Sequence, residues 1–189
     1  MDLNTMYQRT VESWADRVKA VGPEQWNDPT PCSEWSVRDL VNHVAGEDLW
    51  TGPLMRGSTI EEVGDRFDGD LLGDQPAETA LNAAEEAAAA VAETLPTQGT
   101  VQLSFGETPM DEYVNQLAAD HLIHGWDLAA ATGGDTQMDP ELVAEVAAWF
   151  ADREEMYRSG GAIAERTDSS GDPQSDLLAA FGRSADWSA

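Results

Sequence analysis

Residues 108–131, TPMDEYVNQLAADHLIHGWDLAAA, decide how this chain is read. Thr108-Pro-Met-Asp111 has the form of a helix start, with Pro at the first position and acid in the first turn. Gly133-Gly134 ends the stretch. At about 100° per residue, Asp120 and His124 fall about 40° apart, and Asp127 lies about 60° to the other side of His124. Tyr113, Leu117, Leu128 and Ala131 share that arc. Leu122, Trp126 and Ala129 form a second apolar surface, so the helix is expected to be covered on more than one side.

Working outward, the same period recurs. Leu3, Met6, Tyr7, Val11, Trp14, Val18 and Val21 follow one another by threes and fours, up to Gly22-Pro23. After a Pro- and Trp-containing loop over 23–35, Ser36-Val-Arg-Asp39 forms a capping box. The helix it opens is expected to reach Trp50 and stop at Gly52-Pro53. Residues 56–75 are rich in Gly and Asp and read as a long connection with one short helix at 59–65. Pro76 leads an Ala- and Glu-rich helix over 77–95, stopped by Pro96 and Gly99. Val101-Gln-Leu-Ser-Phe105 alternates and reads as one short strand or an extended lead-in. Asp139-Pro140 starts a helix to about Tyr157, residues 158–172 read as a loop, and Asp172-Pro173 opens a last helix to Phe181. The fold class is therefore all-α: a four-helix bundle with additional short C-terminal helices. One domain spans 1–189, with 135–189 as a C-terminal helical extension.

Composition sets outer bounds on function. The 189 residues hold 10 Lys and Arg against 36 Asp and Glu, a net charge of −26. Such a field repels phosphate backbones and anionic lipid, which argues against nucleic acid and membrane surfaces as partners. At 41% hydrophobic residues the chain still has the material for a core. Cys32 is the single cysteine, so no intrachain disulfide forms. There is no basic segment leading into an apolar stretch, and no apolar run of about 18 residues. The sequence reads as a cytoplasmic protein, monomeric or homodimeric. Lys19 is the only lysine. An acidic, lysine-poor surface suits a salty cytoplasm, and a GC-rich genome would produce the same bias.

The three histidines, His43, His121 and His124, all fall inside expected helices. A carboxylate and an imidazole four residues apart on a covered helix need partners. His43, on the helix from Ser36, can supply a third group. Two ligands from one helix and one from another is how bundles build metal sites. His43, Asp120 and His124 would offer two nitrogens and an oxygen, suited to zinc first, with nickel or iron possible. Three protein ligands leave a position open, as catalytic sites do. His121 is the rival ligand, about 60° from His124. Glu47, one turn after His43, is a candidate base, fourth ligand or orienting group. The plainer alternative is a buried His–Asp hydrogen bond with no metal. Cys32 reads as a small packed side chain rather than a reactive thiol, and Asp127 as an orienting or capping group. Trp26, Trp35 and Trp50 flank the His43 helix and are core or pocket wall.

Three segments carry a family resemblance. Thr30-Pro-Cys-Ser-Glu-Trp-Ser-Val-Arg-Asp-Leu-Val-Asn-His43 resembles the first signature of proteins related to the metal-binding domain of mycothiol-dependent maleylpyruvate isomerase, within the DinB-like superfamily of four-helix bundles. Asp120-His-Leu-Ile-His-Gly-Trp-Asp-Leu-Ala129 is similar to the second, and Phe181-Gly-Arg183 with Trp187 to the family's end. The resemblance implies a divalent metal on His43, Asp120 and His124, and a low-molecular-weight thiol such as mycothiol or bacillithiol as co-substrate. Transfer or cis–trans isomerisation on a small electrophilic substrate then follows. The alternative is a non-catalytic bundle that binds metal or a small ligand. The chain has no room for the isomerase's additional C-terminal domain, and no substrate-binding arginine is matched; Arg56 and Arg66 fall in the long connection.

The surface charge makes a direct prediction. Melting temperature should rise as KCl is raised from about 0.05 to about 1 M, because counter-ions screen the self-repulsion. A flat profile would leave genome composition as the sole origin of the bias.

Overall fold

A computed structural model describes residues 1–188. Eight α-helices appear among them: α1 (Leu3–Lys19), α2 (Val37–Met55), α3 (Ile60–Val63), α4 (Pro76–Thr94), α5 (Met110–Thr132), α6 (Pro140–Phe150), α7 (Glu154–Ser159) and α8 (Pro173–Ala180). A two-stranded antiparallel hairpin, β1 (Thr100–Leu103) and β2 (Gly106–Pro109), leads into α5. The four long helices form the bundle. α1 packs on α4 and α5, and α2 packs on the same two helices, closing the ring. Trp14, Tyr7, Leu40, Val44, Trp126 and Leu128 fill the core. Ala80, Ala83, Ala84 and Ala87 of α4 are buried, and their small side chains permit close approach to α2.

Local chemistry explains most helix ends. Ser36 accepts from the Asp39 amide while the Asp39 carboxylate accepts from the Ser36 amide, the capping box read in the sequence. Asp139 caps α6 and Asp172 caps α8, each with Pro at the first helical position. Gly133, at φ 70°, closes α5 in the left-handed conformation. The long connection is tied back to α2. Asn42 donates to the Gly69 carbonyl at 3.0 Å and accepts from the Leu71 amide at 2.8 Å, while Arg38 holds Asp70.

Three boundaries depart from the sequence reading. α2 continues through Gly52-Pro53 to Met55. In the last turn Pro53 removes a single amide, and the Arg56 amide still closes on Gly52. Thr108 and Pro109 belong to β2 rather than to α5, because pairing with Val101 and Thr100 holds them extended. The helix expected to reach Tyr157 breaks after Phe150. There the Arg153 amide closes on the Phe150 carbonyl and its guanidinium takes the Trp149 carbonyl at 2.5 Å.

That break is anchored to α5. Glu112 accepts from Arg153 Nε and Nη2, both at 2.7 Å, and from the Trp149 indole at 3.1 Å. Phe150 then stacks on Phe181 with centroids 4.0 Å apart, which joins α6 to the end of α8. Partial burial alone would raise the Glu112 pKa, but the donors from Arg153 and Trp149 outweigh it and hold the carboxyl below its usual 4.5. A carboxyl depressed in the folded state adds stability above its unfolded pKa and loses it as pH falls through the folded one. Glu112→Ala should therefore cost about 1–2 kcal/mol at neutral pH, the range for partly exposed charge-assisted bonds. The deficit should shrink as pH falls through the lowered pKa of Glu112. Urea melts of wild type and variant across pH check both.

Candidate metal centre

The packing of α2 on α5 decides where the polar residues of both helices meet. His43 Nε2 lies 3.6 Å from Asp120 Oδ2, and His124 Nε2 lies 3.9 Å from Asp120 Oδ1. One donor atom from each of the three residues falls within 4.8 Å of the other two. The imidazoles stand nearly perpendicular, with centroids 5.1 Å apart. Trp35 lies against both rings, 4.9 Å from His43 and 6.1 Å from His124. The separations from Asp120 are longer than hydrogen bonds. They approach the roughly 3.4 Å between ligand atoms around a tetrahedral ion with bonds of about 2.1 Å. The donor set thus fits a divalent ion.

A layer behind the imidazole fixes its orientation. Asp127, fully buried, lies 3.0 Å from His124 Nδ1. Burial alone would raise its pKa, but His124 and the Arg183 guanidinium hold the carboxyl below its ordinary value. An ionised Asp127 can only accept, so Nδ1 carries a proton and the ring is fixed with Nε2 toward Asp120. Arg183 binds Asp127 through Nε at 3.0 Å and Nη2 at 2.9 Å. Its Nη2 also meets Cys32 Sγ at 3.0 Å, and its Nη1 donates to the Phe181 carbonyl at 3.0 Å. The Cys32 thiol donates to Asp127 at 3.2 Å. Cys32, His124 and Asp127 form a second group with metal-binding donor types. The Arg183 cation already occupies the neighbourhood of its sulfur and carboxylate.

The ionisation pattern follows from these neighbours. Burial pushes the Cys32 thiol up to about 12, reinforced by Asp127, so it is a proton donor and not a thiolate. Burial opposes ionisation of Asp120 as well, but its contact with His43 and the charges of both ligand histidines bring its carboxyl down to about 2. For His43, desolvation lowers the pKa, while Asp120 and then Glu47 more than reverse it. Glu47 is pushed up to about 7, first by burial and then by the charge of Asp120.

A cavity of about 710 Å³ opens onto the three residues. Glu47, Trp35 and Cys32 line it near the ligands, and Trp149, Tyr157, Ile163 and Phe181 line it from the C-terminal segments. His121, the rival ligand, is absent from this lining. Its Nδ1 faces the Leu117 carbonyl at 2.8 Å and its Nε2 faces Asp48 at 3.2 Å, with Tyr7 and Trp14 edge-on to the ring. Both its nitrogens are used inside the bundle. Trp26 does not reach the cavity, and Trp50 lines a separate hollow of about 300 Å³. Arg56 pairs with Glu93, and Arg66 lies over Phe67, so neither enters the site.

Residues 7–129 match the sequence pattern of the mycothiol maleylpyruvate isomerase N-terminal domain family. The chain belongs to this family. Two uncharacterized proteins of Mycobacterium tuberculosis, from strains CDC 1551 / Oshkosh and ATCC 25618 / H37Rv, are each 38% identical over 150 residues, covering 77% of this chain and 75% of theirs. The crystal structure of the mycothiol-dependent maleylpyruvate isomerase superposes with a TM-score of 0.63 at 19% identity, over 93% of this chain and 78% of that one. A histidine-to-alanine mutant of that isomerase gives the same values. The family and the likeness identify the architecture as a DinB-like bundle.

One member of the site has no local signal in the sequence. Arg183 belongs to a terminal motif, and no pattern within a few residues ties it to Asp127, 56 positions earlier. Asp48, next to Glu47 in sequence, lies outside the site and takes up His121 inside the bundle. Asp127 had a local signal, since a carboxylate three residues after a histidine lies on nearly the same helix face.

Protein purified without added metal should carry about one divalent ion per chain by elemental analysis. A His43→Ala, His124→Ala double variant should carry little. Equal content in both would remove these residues as ligands.

Proposed function

We propose that the protein is a metal-dependent enzyme that uses a low-molecular-weight thiol in transfer to, or isomerisation of, a small electrophile. The observation that carries this reading is the grouping of His43, Asp120 and His124 donor atoms within 4.8 Å of one another at the floor of a cavity. Membership of the mycothiol maleylpyruvate isomerase N-terminal domain family supports the thiol. Two imidazoles and a carboxylate suit zinc best, with nickel or iron able to take the same set. A divalent ion bound there would let a thiol ligand ionise near neutral pH.

The residues of the chain supply the remaining functions. Asp127 and Arg183 keep His124 Nε2 aimed at the site. Trp35 covers both imidazoles and limits water. Glu47, with its pKa near 7, can take the thiol proton on a carboxylate oxygen and return it to carbon. Addition of sulfur across a polarised double bond forms one S–C bond and one C–H bond, with no leaving group. Reversal after rotation about the new single bond releases the thiol and the other geometric isomer. Cys32 has no part as nucleophile, since its thiol stays protonated and bonded to Asp127.

Diethyl maleate, with mycothiol or bacillithiol, is a direct assay. The metal-loaded protein should accelerate adduct or fumarate formation, and the EDTA-stripped protein should not. Glu47→Gln should lower kcat by about 100-fold while metal content stays unchanged. Equal rates with and without metal would overturn the reading, and metal without any thiol-dependent turnover would leave a binding bundle.

A further inference from the structure

The two helices that carry the metal ligands run on together past them. On α2, His43, Glu47, Trp50 and Leu54 follow one another by fours and threes and form one stripe. On α5, Asp120, Gln116 and Tyr113 form the matching stripe, read in the opposite direction. His43 meets Asp120 at the metal end. Farther along, Glu47, Gln116 and Tyr113 line the large cavity and also the second hollow of about 300 Å³. Glu47 therefore presents surface to both. Leu54, in the wall of the second hollow, lies about 16 Å along the α2 axis from His43 at 1.5 Å per residue.

The rest of the second hollow is mostly apolar. Trp50 and Leu54 come from α2, Ile60 from α3, and Leu103 and Phe105 from the hairpin, with exposed Ser104 beside them. Leu103 pairs with Gly106, so Ser104 and Phe105 are the two turn residues of a tight hairpin. Turn geometry favours Gly, Asn or Asp there and gives no reason for phenylalanine. Phe105 is nonetheless 74% exposed. Among the described residues, four large hydrophobic side chains are exposed, and two of them, Ile60 and Phe105, line this one hollow. A lone exposed apolar side chain needs no account, but two on a hollow that shares Glu47 with the metal cavity mark a ligand surface. The volume is that of a small chemical group, far below what a protein partner would cover, and the exposed Glu61 and Glu62 beside Ile60 make an acidic rim.

We infer that this hollow is a substrate subsite: it takes an apolar substituent of the electrophile, while the reacting double bond lies beside Glu47 and the thiol lies at the metal ligands. Glu47, Gln116 and Tyr113 supply polar atoms between the two ends, so the selectivity is for the substituent and not for the charge of the reacting end. This deepens the enzymatic reading and rests on it for what reacts. The preference for an apolar substituent rests on the hollow alone.

Dimethyl succinate and butyl methyl succinate test binding without turnover, because neither has a double bond to which a thiol can add. They differ by three methylenes, each worth roughly fourfold in affinity at complete burial. Calorimetry and tryptophan fluorescence on the full chain should show the butyl ester binding about tenfold or more tightly, both as purified and after EDTA. Phe105→Ser and Ile60→Ser, at two exposed positions, should each cut that preference to about threefold or less. Met156→Ser, at an exposed apolar position outside both hollows, should leave it unchanged, as should Ile163→Ser in the wall of the large cavity. Equal affinities, binding of neither ester, or a preference that survives in both hollow variants overturns the inference. The corresponding maleates, with mycothiol or bacillithiol, separate it from the enzymatic reading. kcat/KM should favour the butyl ester by a similar factor, mainly through KM. No turnover of either maleate, with the succinate preference and its dependence on Phe105 and Ile60 intact, removes the enzymatic reading and leaves the subsite standing. Turnover of both maleates with equal succinate affinities removes the subsite alone.

Discussion

A carboxylate with no exposed surface, Asp127, holds this site together. It accepts from His124 on its own helix, from Arg183 near the end of the chain and from Cys32 in the loop before α2. Three segments distant in sequence therefore converge on one charge. Removing one partner from such a buried set costs about 3–5 kcal/mol, because an unpaired ion is left behind. The same contact orients the imidazole toward Asp120. Stability and site geometry thus depend on a single ion pair with two further hydrogen bonds.

The two histidines of α5 show how burial partners divide similar residues. His121 and His124 are three apart and both are almost completely enclosed. His121 meets Asp48 and a carbonyl inside the bundle, so both nitrogens are consumed. His124 meets a carboxylate on one side only, and its other nitrogen faces the cavity floor. Helical spacing gives the two residues comparable standing. The neighbouring helix separates them, since α2 presents Asp48 to one and His43 to the other.

The C-terminal segments wall one side of the cavity above the polar floor of the bundle. Glu112 anchors the α6–α7 turn, Phe150 stacks on Phe181, and the chain then delivers Arg183 beside His124. Glu112 neutralises Arg153 and Asp127 neutralises Arg183, so both arginines near the cavity are paired with carboxylates. The family pattern ends at residue 129, so this wall lies beyond the part of the chain that the pattern covers.

The amino-acid pattern by itself determined the helices and the four-helix class. Threes-and-fours periodicity, the Ser36–Asp39 capping box and the Asp-Pro starts act within a few residues and need no tertiary partner. It also brought out His43, Asp120 and His124, because an i, i+4 pair on a covered helix must be satisfied by another helix. Local rules misplaced the C-terminal end of α2 and the break after Phe150. There a single lost amide was tolerated in one case, and a cross-chain contact to Glu112 intervened in the other. Only the tertiary structure decided that His121 turns inward, that Cys32 is a proton donor and that Arg183 is already spent on Asp127. Each of these depends on which charge lies within about 4 Å in a desolvated interior, a quantity set by packing between segments rather than by spacing along one.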